Sequence, residues 1–265
     1  MTTSGIDSTQ LETPWLAAPG LNPRASLRLF CFPYAGGGAS IFHSWSRSLP
    51  QCVDVCPVQF PGREHRLKEP LFTRLSDMVR SVQQALGPYL DKPFVFYGHS
   101  MGGLIGFELT RLLRKEGGPQ PLHFFVSGCR GPQAIDRERI TYNLPEPELL
   151  EELRTLNGTP EEVLDSPELM QVMLPILRAD FEVVETYEYS LAPPICVPIS
   201  AFGGLQDEKV EWRHLEAWRE HTTAHCSVRM LPGNHFFLRT AQHNLLRIIA
   251  RELLTIAASI ERGRA

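Results

Sequence analysis

Six short apolar runs, each bounded by Gly, Pro or polar residues, recur along the chain. Runs of this length that are rich in β-branched and aromatic residues are typical of strands buried on both faces of a sheet. The sequence therefore predicts six strands. They lie at residues 27–32, 52–60, 94–98, 122–128, 197–203 and 226–231.

Between most of these runs, apolar residues recur at steps of three and four, which predicts helices that each bury one face. Three such stripes cover residues 75–90, 104–113 and 245–256. Strands that alternate with helices favour an α/β fold, in which helices cover both faces of a mainly parallel sheet.

Residues 131–192 break this alternation, because they are rich in Glu, Leu and Pro and contain no convincing strand pattern. We predict helices at 146–156 and 167–188, and Pro175 interrupts the apolar stripe of the second helix. A helical insertion between two strands favours a lid over a functional site, and the alternative is an ordinary packing subdomain. The chain is thereby divided into a loose N-terminal leader (1–25), a core (26–130 and 193–265) and a helical lid (131–192).

The composition is that of an ordinary globular protein and excludes several classes of function. The 265 residues carry a net charge of −4 without a basic stripe, which argues against nucleic acid as a partner. No apolar run is long enough for a transmembrane helix, and the N-terminus does not resemble a secretory signal. Six cysteines without CxxC pairs predict reduced, buried thiols in a cytoplasmic protein and no metal site.

The sharpest chemical signal is Gly98-His99-Ser100-Met101-Gly102, which lies between a predicted strand and a predicted helix. In this context the G-x-S-x-G pattern predicts a sharp turn that exposes the serine hydroxyl at the carboxyl edge of the sheet. A chance Gly/Ser turn is the alternative, and it leaves the flanking strand and helix unexplained. Ser100 is therefore the candidate nucleophile.

A serine hydroxyl is a weak nucleophile, so it needs a base and a carboxylate that orients the base. His235 lies on a Pro/Gly/Asn loop after the last predicted strand, and Asp207 lies on the loop after the strand before it. The order Ser100, Asp207, His235 is the one expected of a hydrolase with a G-x-S-x-G turn. Glu208 and Asp180 are rival carboxylates, and helix capping is the alternative role for Asp207.

The oxyanion that forms when a serine attacks a carbonyl needs a second donor besides the Met101 amide. Gly36, Gly37 and Gly38 follow the first predicted strand, and successive glycines let backbone amides approach a ligand closely. The Ala35 amide is the candidate donor in this loop. A flexible turn and a phosphate cradle are the alternatives, but the loop lacks the Gly-Lys-Ser/Thr ending of a P-loop.

Six motifs emerge when these candidates are taken with their flanking residues. They are FPYAGGG (32–38), VQFPGRE (58–64), GHSMGG (98–103), LNGTP (156–160), GGLQD (203–207) and GNHFFL (233–238). Together they resemble the type II thioesterases, which are free-standing α/β-hydrolases that accompany polyketide synthases and non-ribosomal peptide synthetases. The resemblance spans about residues 25–255 and implies the α/β-hydrolase fold with a helical lid over an acyl chamber.

The resemblance implies hydrolysis of polyketide, aminoacyl or short acyl chains from the phosphopantetheine arm of an acyl or peptidyl carrier protein. Such an enzyme edits misprimed or stalled synthase modules in antibiotic biosynthesis, acts as a cytoplasmic monomer and needs no cofactor of its own. By motif, it places the triad at Ser100, Asp207 and His235 and the oxyanion amides at Ala35 and Met101. We expect substrate contacts from Tyr34, Phe236 and the lid residues Met170, Leu174, Leu177 and Phe181.

Three other interpretations remain open. A general esterase or acyl-CoA hydrolase and a product-releasing thioesterase share the fold and the triad. A non-catalytic binding module belongs to a different class, and an intact triad argues against it. Because carrier proteins are commonly acidic, Arg63, Arg66 and Lys68 are candidates for contact with a carrier protein.

Overall fold

One six-stranded parallel sheet forms the centre of the computed structural model, which describes residues 13–17, 22–134 and 140–264. Its strands are β1 (Leu27–Phe32), β2 (Val53–Pro57), β3 (Phe94–His99), β4 (Phe124–Ser127), β5 (Ile199–Gly204) and β6 (Cys226–Leu231). They lie in the order β2-β1-β3-β4-β5-β6, and every neighbouring pair is parallel. The six predicted strands and the parallel sheet are therefore confirmed.

Helices fill the connections between the strands. Within the described residues they are α1 (Leu75–Leu86), α2 (Met101–Lys115), α3 (Glu146–Leu156), α4 (Glu161–Leu164), α5 (Pro167–Glu185), α6 (Trp212–Glu216), α7 (Phe237–Thr240) and α8 (Gln242–Arg264). None of these helices is both long and apolar enough to cross a membrane.

The two faces of the sheet bury separate apolar cores, because successive side chains of a strand point to opposite faces. In β1, Phe30 and Phe32 belong to the core that α1 and α2 cover. Leu29 and Cys31 belong to the core that α8 covers on the other face. The functional loops at the carboxyl edge are thus held by strands that are packed on both sides.

Helices α3, α4 and α5 surround an apolar cluster of their own, here called the lid cluster. Its buried members are Leu149, Leu153, Leu164, Met170, Leu174 and Leu177. Helix α5 runs through Pro175 without a break, and Val183 near its end joins the core beneath it. The C-terminal part of α5 therefore connects the lid cluster to the sheet, while residues 135–139 of the predicted lid lie outside the described residues.

Part of the predicted leader is in contact with the core. Leu16 forms an antiparallel bridge with Val58, directly after β2. The Arg66 guanidinium lies 4.2 Å from the centre of the Trp15 ring. These contacts hold residues 13–17 at the β2 edge of the sheet, and residues 1–12 and 18–21 lie outside the described residues.

The cysteines are all free thiols, as predicted, but not all are buried. Cys31, Cys56, Cys129 and Cys226 lie in the interior, whereas Cys52 is half-buried and Cys196 is exposed. Burial of all six thiols was therefore a wrong expectation. Cys196 lies in the proline-rich connection before β5, where its neighbours Ile195 and Val197 are buried while its own side chain faces solvent.

Candidate active site

Ser100 lies in the turn between β3 and α2 with φ 52° and ψ −117°, a combination that is strained for any residue but glycine. Two glycines make this turn possible. A Cβ atom at Gly98 would lie 2.1 Å from the Gly102 carbonyl oxygen, and one at Gly102 would lie 2.1 Å from the Phe32 carbonyl oxygen. Strand and helix therefore approach closely, and the turn holds a half-buried Ser100 at the carboxyl edge of the sheet.

Asp207 and His235 are joined by a hydrogen bond of 2.8 Å between Oδ2 and Nδ1. Asp207 is buried, and its Oδ1 accepts from the amides of Lys209 at 2.9 Å and Val210 at 3.0 Å. Burial raises the pKa of Asp207, but the bond from His235 and the two amides outweigh it, so the net shift is downward. The carboxylate is therefore ionised, which puts the proton on Nδ1 and leaves Nε2 able to accept one.

The two rival carboxylates have other surroundings. Glu208 is exposed beside Asp207, whereas Asp180 is buried on α5 and pairs with Arg63. The helix-capping alternative for Asp207 is wrong, because α6 begins at Trp212 with Glu211 at its N-cap. Asp207 instead accepts from two amides of the loop before α6 and contacts His235 with its other oxygen.

Residues from several of the sequence motifs line one cavity of about 300 Å³. Among the residues expected at the site, its walls include Tyr34, Ala35, Ser100, Leu177, Phe181, His235 and Phe236. Met170 and Leu174 lie instead in the interior of the lid cluster. Met170 and Leu174 belong to the same apolar stripe of α5 as Leu177 and Phe181. The stripe is wide, so one side of it faces α3 and the other side faces the cavity.

Several wall residues were missed by the sequence reasoning. They are Gly36, Leu153, Leu156, Gly158, Thr159, Pro160, Val163, Met173 and Arg239. Residues 156–160 were visible as the LNGTP motif, and Met173 lies one helical turn before Leu177, so both carried a signal. Arg239, which follows His235 by four residues, carried none.

Two amides of the loop after β1 already have acceptors. Gly36 donates to Asp180 Oδ2 at 2.7 Å, and Gly37 donates to the Tyr34 carbonyl oxygen at 2.9 Å. No acceptor for the Ala35 amide occurs among the described residues. The Met101 amide lies in the first turn of α2, where amides have no acceptor within their own helix. These two amides suit the oxyanion role that the sequence predicts, and that role stays a prediction.

His99 is fully buried behind the site, although it precedes Ser100 in the chain. Its Nδ1 is 2.9 Å from Ser127 Oγ, and its ring lies edge-on to the ring of His235 with 5.3 Å between centres. Burial, and then the proximity of His235, holds the pKa of His99 well below its ordinary value. His99 is therefore a neutral packing partner of His235 and not a rival base.

Two of the three basic residues considered for a carrier contact are not available for it. Arg63 and Arg66 are 4% and 5% exposed, and each pairs with a carboxylate of the same chain. Only Lys68 of this group is exposed. The basic residues of the PGRE motif therefore serve internal contacts, which sequence spacing alone could not reveal.

Comparison with known proteins supports one family. The model of the thioesterase domain family matches residues 27–253. Linear gramicidin dehydrogenase LgrE of Brevibacillus parabrevis is 46% identical over 242 residues, which are 90% of this chain and 92% of that protein. Gramicidin S biosynthesis protein GrsT of Aneurinibacillus migulanus is 45% identical over 244 residues, which are 92% of this chain and 95% of that protein.

The solved structure of the type II thioesterase BorB from the borrelidin biosynthetic cluster has the same fold. It superposes with a TM-score of 0.82 at 32% identity, over 95% of this chain and 100% of that one. The α/β-hydrolase fold expected from the resemblance is thus confirmed. The chain belongs to the thioesterase domain family.

Proposed function

We propose that this protein is a type II thioesterase that releases acyl chains from the phosphopantetheine arm of a carrier protein and so edits misprimed or stalled synthase modules. The observation that carries the proposal is the Asp207–His235 pair beside Ser100 in one cavity, within a chain of the thioesterase family. GrsT and BorB are named for gramicidin S and borrelidin biosynthesis, which supports a place beside a synthase.

In the proposed acylation, the Ser100 hydroxyl attacks the thioester carbonyl carbon while His235 Nε2 takes its proton. The negative charge that develops on the carbonyl oxygen is stabilised by the Ala35 and Met101 amides. The carbon–sulfur bond then breaks, and the pantetheine thiol leaves with the proton from His235. Asp207 holds the imidazole in one tautomer and stabilises its protonated form.

Deacylation repeats these steps with water as the nucleophile. His235 takes a proton from water, the hydroxide adds to the acyl-serine, and the returning proton releases the Ser100 hydroxyl. The products are a carboxylic acid and the unchanged enzyme. This cycle uses only groups of the chain and water, and the expected absence of a cofactor stays a prediction.

The cavity favours small acyl groups. Its volume of about 300 Å³ lies at the lower end of the range of roughly 300–1,000 Å³ that is usual for ligand sites. Leu177, Phe181 and Phe236 give it mainly apolar walls. Within the classes that the sequence left open, a short acyl group fits this space better than a long polyketide or peptide.

The word dehydrogenase in the name of the Brevibacillus relative is not carried over to this chain. The turn after β1 reads Pro-Tyr-Ala-Gly-Gly-Gly at residues 33–38 and departs from the G-x-G-x-x-G spacing of dinucleotide sites. The turn after β3 holds the strained Ser100. The first turn argues against a dinucleotide site, and the second supports acyl transfer.

The test compares three substrates that carry the same short acyl chain: an acyl-phosphopantetheinyl carrier protein, the acyl-CoA and the p-nitrophenyl ester. We expect the highest kcat/KM for the carrier-bound thioester and loss of all three activities in Ser100→Ala. Mass spectrometry of the wild-type enzyme during turnover should show acylation of Ser100.

Each alternative predicts another result. Equal or better turnover of the plain ester would indicate a general esterase, and a preference for acyl-CoA would indicate an acyl-CoA hydrolase. Activity that survives Ser100→Ala would overturn the assigned nucleophile. The carrier-protein partner, a cytoplasmic location and a monomeric state stay predictions, and Lys68 is the exposed residue at which to begin a search for the carrier contact.

A further inference from the structure

A buried ion pair lies next to the candidate oxyanion loop. Arg63 is 4% exposed and Asp180 is fully buried. Arg63 Nη1 donates to Asp180 Oδ2 at 2.6 Å, and Arg63 Nη2 donates to Oδ1 at 2.9 Å. The pair thus joins the PGRE segment after β2 to helix α5, with both charges removed from water.

The same pair holds the loop after β1 through two backbone groups. Asp180 Oδ2 also accepts from the Gly36 amide at 2.7 Å, and Arg63 Nη1 donates to the Gly37 carbonyl oxygen at 3.3 Å. Leu177, one turn before Asp180, packs directly on Gly36. The Asp180 carboxylate therefore holds the loop through an amide, and the Arg63 guanidinium holds it through a carbonyl oxygen.

Stability alone is a weak explanation for this arrangement. Desolvation of two charges offsets most of their attraction, and well-packed apolar residues in place of a buried ion pair are often neutral or stabilising. What apolar residues cannot supply is an acceptor for the Gly36 amide. The distinctive consequence of the pair is thus the geometry of residues 34–38.

We propose that Asp180, held by Arg63, is a positioning residue that aims the Ala35 amide at the oxyanion; the inference rests on the proposed function. Peptide units are planar, so anchoring the Gly36 amide fixes the Ala35 carbonyl and Cα in the same unit. The next amide back along the chain is that of Ala35. A donor must lie within about 0.5 Å of its productive position to be effective, which a loop needs external contacts to achieve.

Two double variants separate positioning from stability. Both Arg63→Met/Asp180→Asn and Arg63→Met/Asp180→Leu remove both charges and keep side chains of similar size. Only the Asn variant retains an oxygen that can accept from the Gly36 amide. Each is assayed for kcat and KM with a short acyl-N-acetylcysteamine thioester, and its melting temperature is measured alongside.

Removal of an oxyanion donor costs about 10²–10³ in kcat, so we expect its displacement in the Leu variant to cost roughly 10–100-fold. KM should change by less than about twofold, because the ground-state carbonyl depends little on the donor. The Asn variant should regain most of the lost kcat. Equal kcat values in two folded variants would overturn the proposal, whatever their melting temperatures.

Glu69→Gln is the matched control. It unpairs the buried Arg66 in the same segment but leaves Gly36 and Gly37 untouched, so its kcat should equal that of the wild type. Ser100→Ala separates the two proposals. If it retains turnover, the proposed function fails; if it is inactive while the Leu variant keeps full kcat, only the positioning role fails.

Amide exchange in the wild-type protein gives a second measurement that needs no variant to fold. A hydrogen bond worth about 1 kcal/mol should slow exchange at Gly36 by roughly fivefold relative to the unpaired Ala35 amide, as read by NMR. Equal exchange rates at the two amides would show that the Gly36 amide does not bond to Asp180, and this would overturn the proposal.

Discussion

The turn that presents Ser100 to the cavity buries its neighbour His99, and this burial has a measurable consequence. Burial and the nearby His235 hold the pKa of His99 well below its ordinary value, so its ring is neutral in the folded protein. In the unfolded chain the pKa returns to about 6.5, so acidification below that pH adds a proton to the unfolded state alone. Stability must therefore fall as the pH decreases below about 6.5.

We predict that the wild type loses about 1 kcal/mol more unfolding free energy than His99→Asn between pH 7 and pH 5.5. Asn keeps an atom that can bond to the Ser127 hydroxyl, and urea denaturation at both pH values measures the difference. His214 and His221, whose pKa values burial also lowers, are present in both proteins and cancel. Equal losses would mean that His99 is charged in the fold.

Asp207 and Glu208 are adjacent carboxylates with different environments, which makes them a matched pair. Asp207→Asn keeps the shape but favours the wrong tautomer of His235, so kcat should fall by about 10⁴ with little change in KM. Glu208→Gln removes an exposed charge and should leave kcat within about twofold of the wild type. Steady-state kinetics with a short acyl thioester decide, and similar losses in both variants would contradict the assigned roles.

At the scale of elements, the sequence predicted the strands and helices that depend on local periodicity. Strand β3 and the turn around Ser100 follow from an apolar run and a motif, and α3 was predicted with the bounds it has. One helix was predicted at 167–188 although Pro175 interrupts its apolar stripe, and α5 does run through Pro175, because burial of Leu174 and Leu177 outweighs the lost hydrogen bond. The apolar stripe of α5 also could not show which of its residues face the cavity.

Met170 and Met173 of α5 provide a test of that division. Met173 lines the cavity, so Met173→Ala should raise kcat/KM for longer acyl chains by about fourfold per added methylene, equivalent to about 0.8 kcal/mol. Met170 is buried in the lid cluster, so Met170→Ala should cost about 2–5 kcal/mol of stability without a change in chain preference. A series of straight-chain thioesters and thermal melts distinguish the two. Identical chain-length profiles would refute the assignment of the cavity as the acyl site.

At the scale of the whole molecule, the unpredicted features are contacts between distant segments. Arg63 and Asp180 are 117 residues apart, and nothing in their local sequences links them. The one available signal was Asp180 itself, a charge within the apolar stripe of α5. A charge in such a position must find a partner, but the partner's identity depends on how β2, α5 and the loop after β1 come together.

The segment 13–17 makes a second set of long-range contacts, and these should contribute to the stability of the whole fold. It covers the outer side of β2, the edge strand, through the Leu16–Val58 bridge and through Trp15 on Arg66. Deletion of residues 1–17 removes this cover and leaves edge amides and carbonyls unpaired. We expect a loss of about 2 kcal/mol, or roughly 4–8 °C in melting temperature, and a tendency to associate through the open edge.

Deletion of residues 1–12 is the matched control, because it leaves the segment 13–17 in place. Calorimetry and size-exclusion chromatography of the two truncated proteins isolate the contribution of those five residues. If both proteins melt at the same temperature and elute alike, the segment adds nothing to stability and the edge of β2 protects itself. If only the longer deletion is destabilised, the N-terminal residues complete the sheet edge, because the two proteins differ in the contacts of residues 13–17, which include the Leu16–Val58 bridge, the Trp15 ring on Arg66 and the Ala17 amide on the Pro57 carbonyl oxygen.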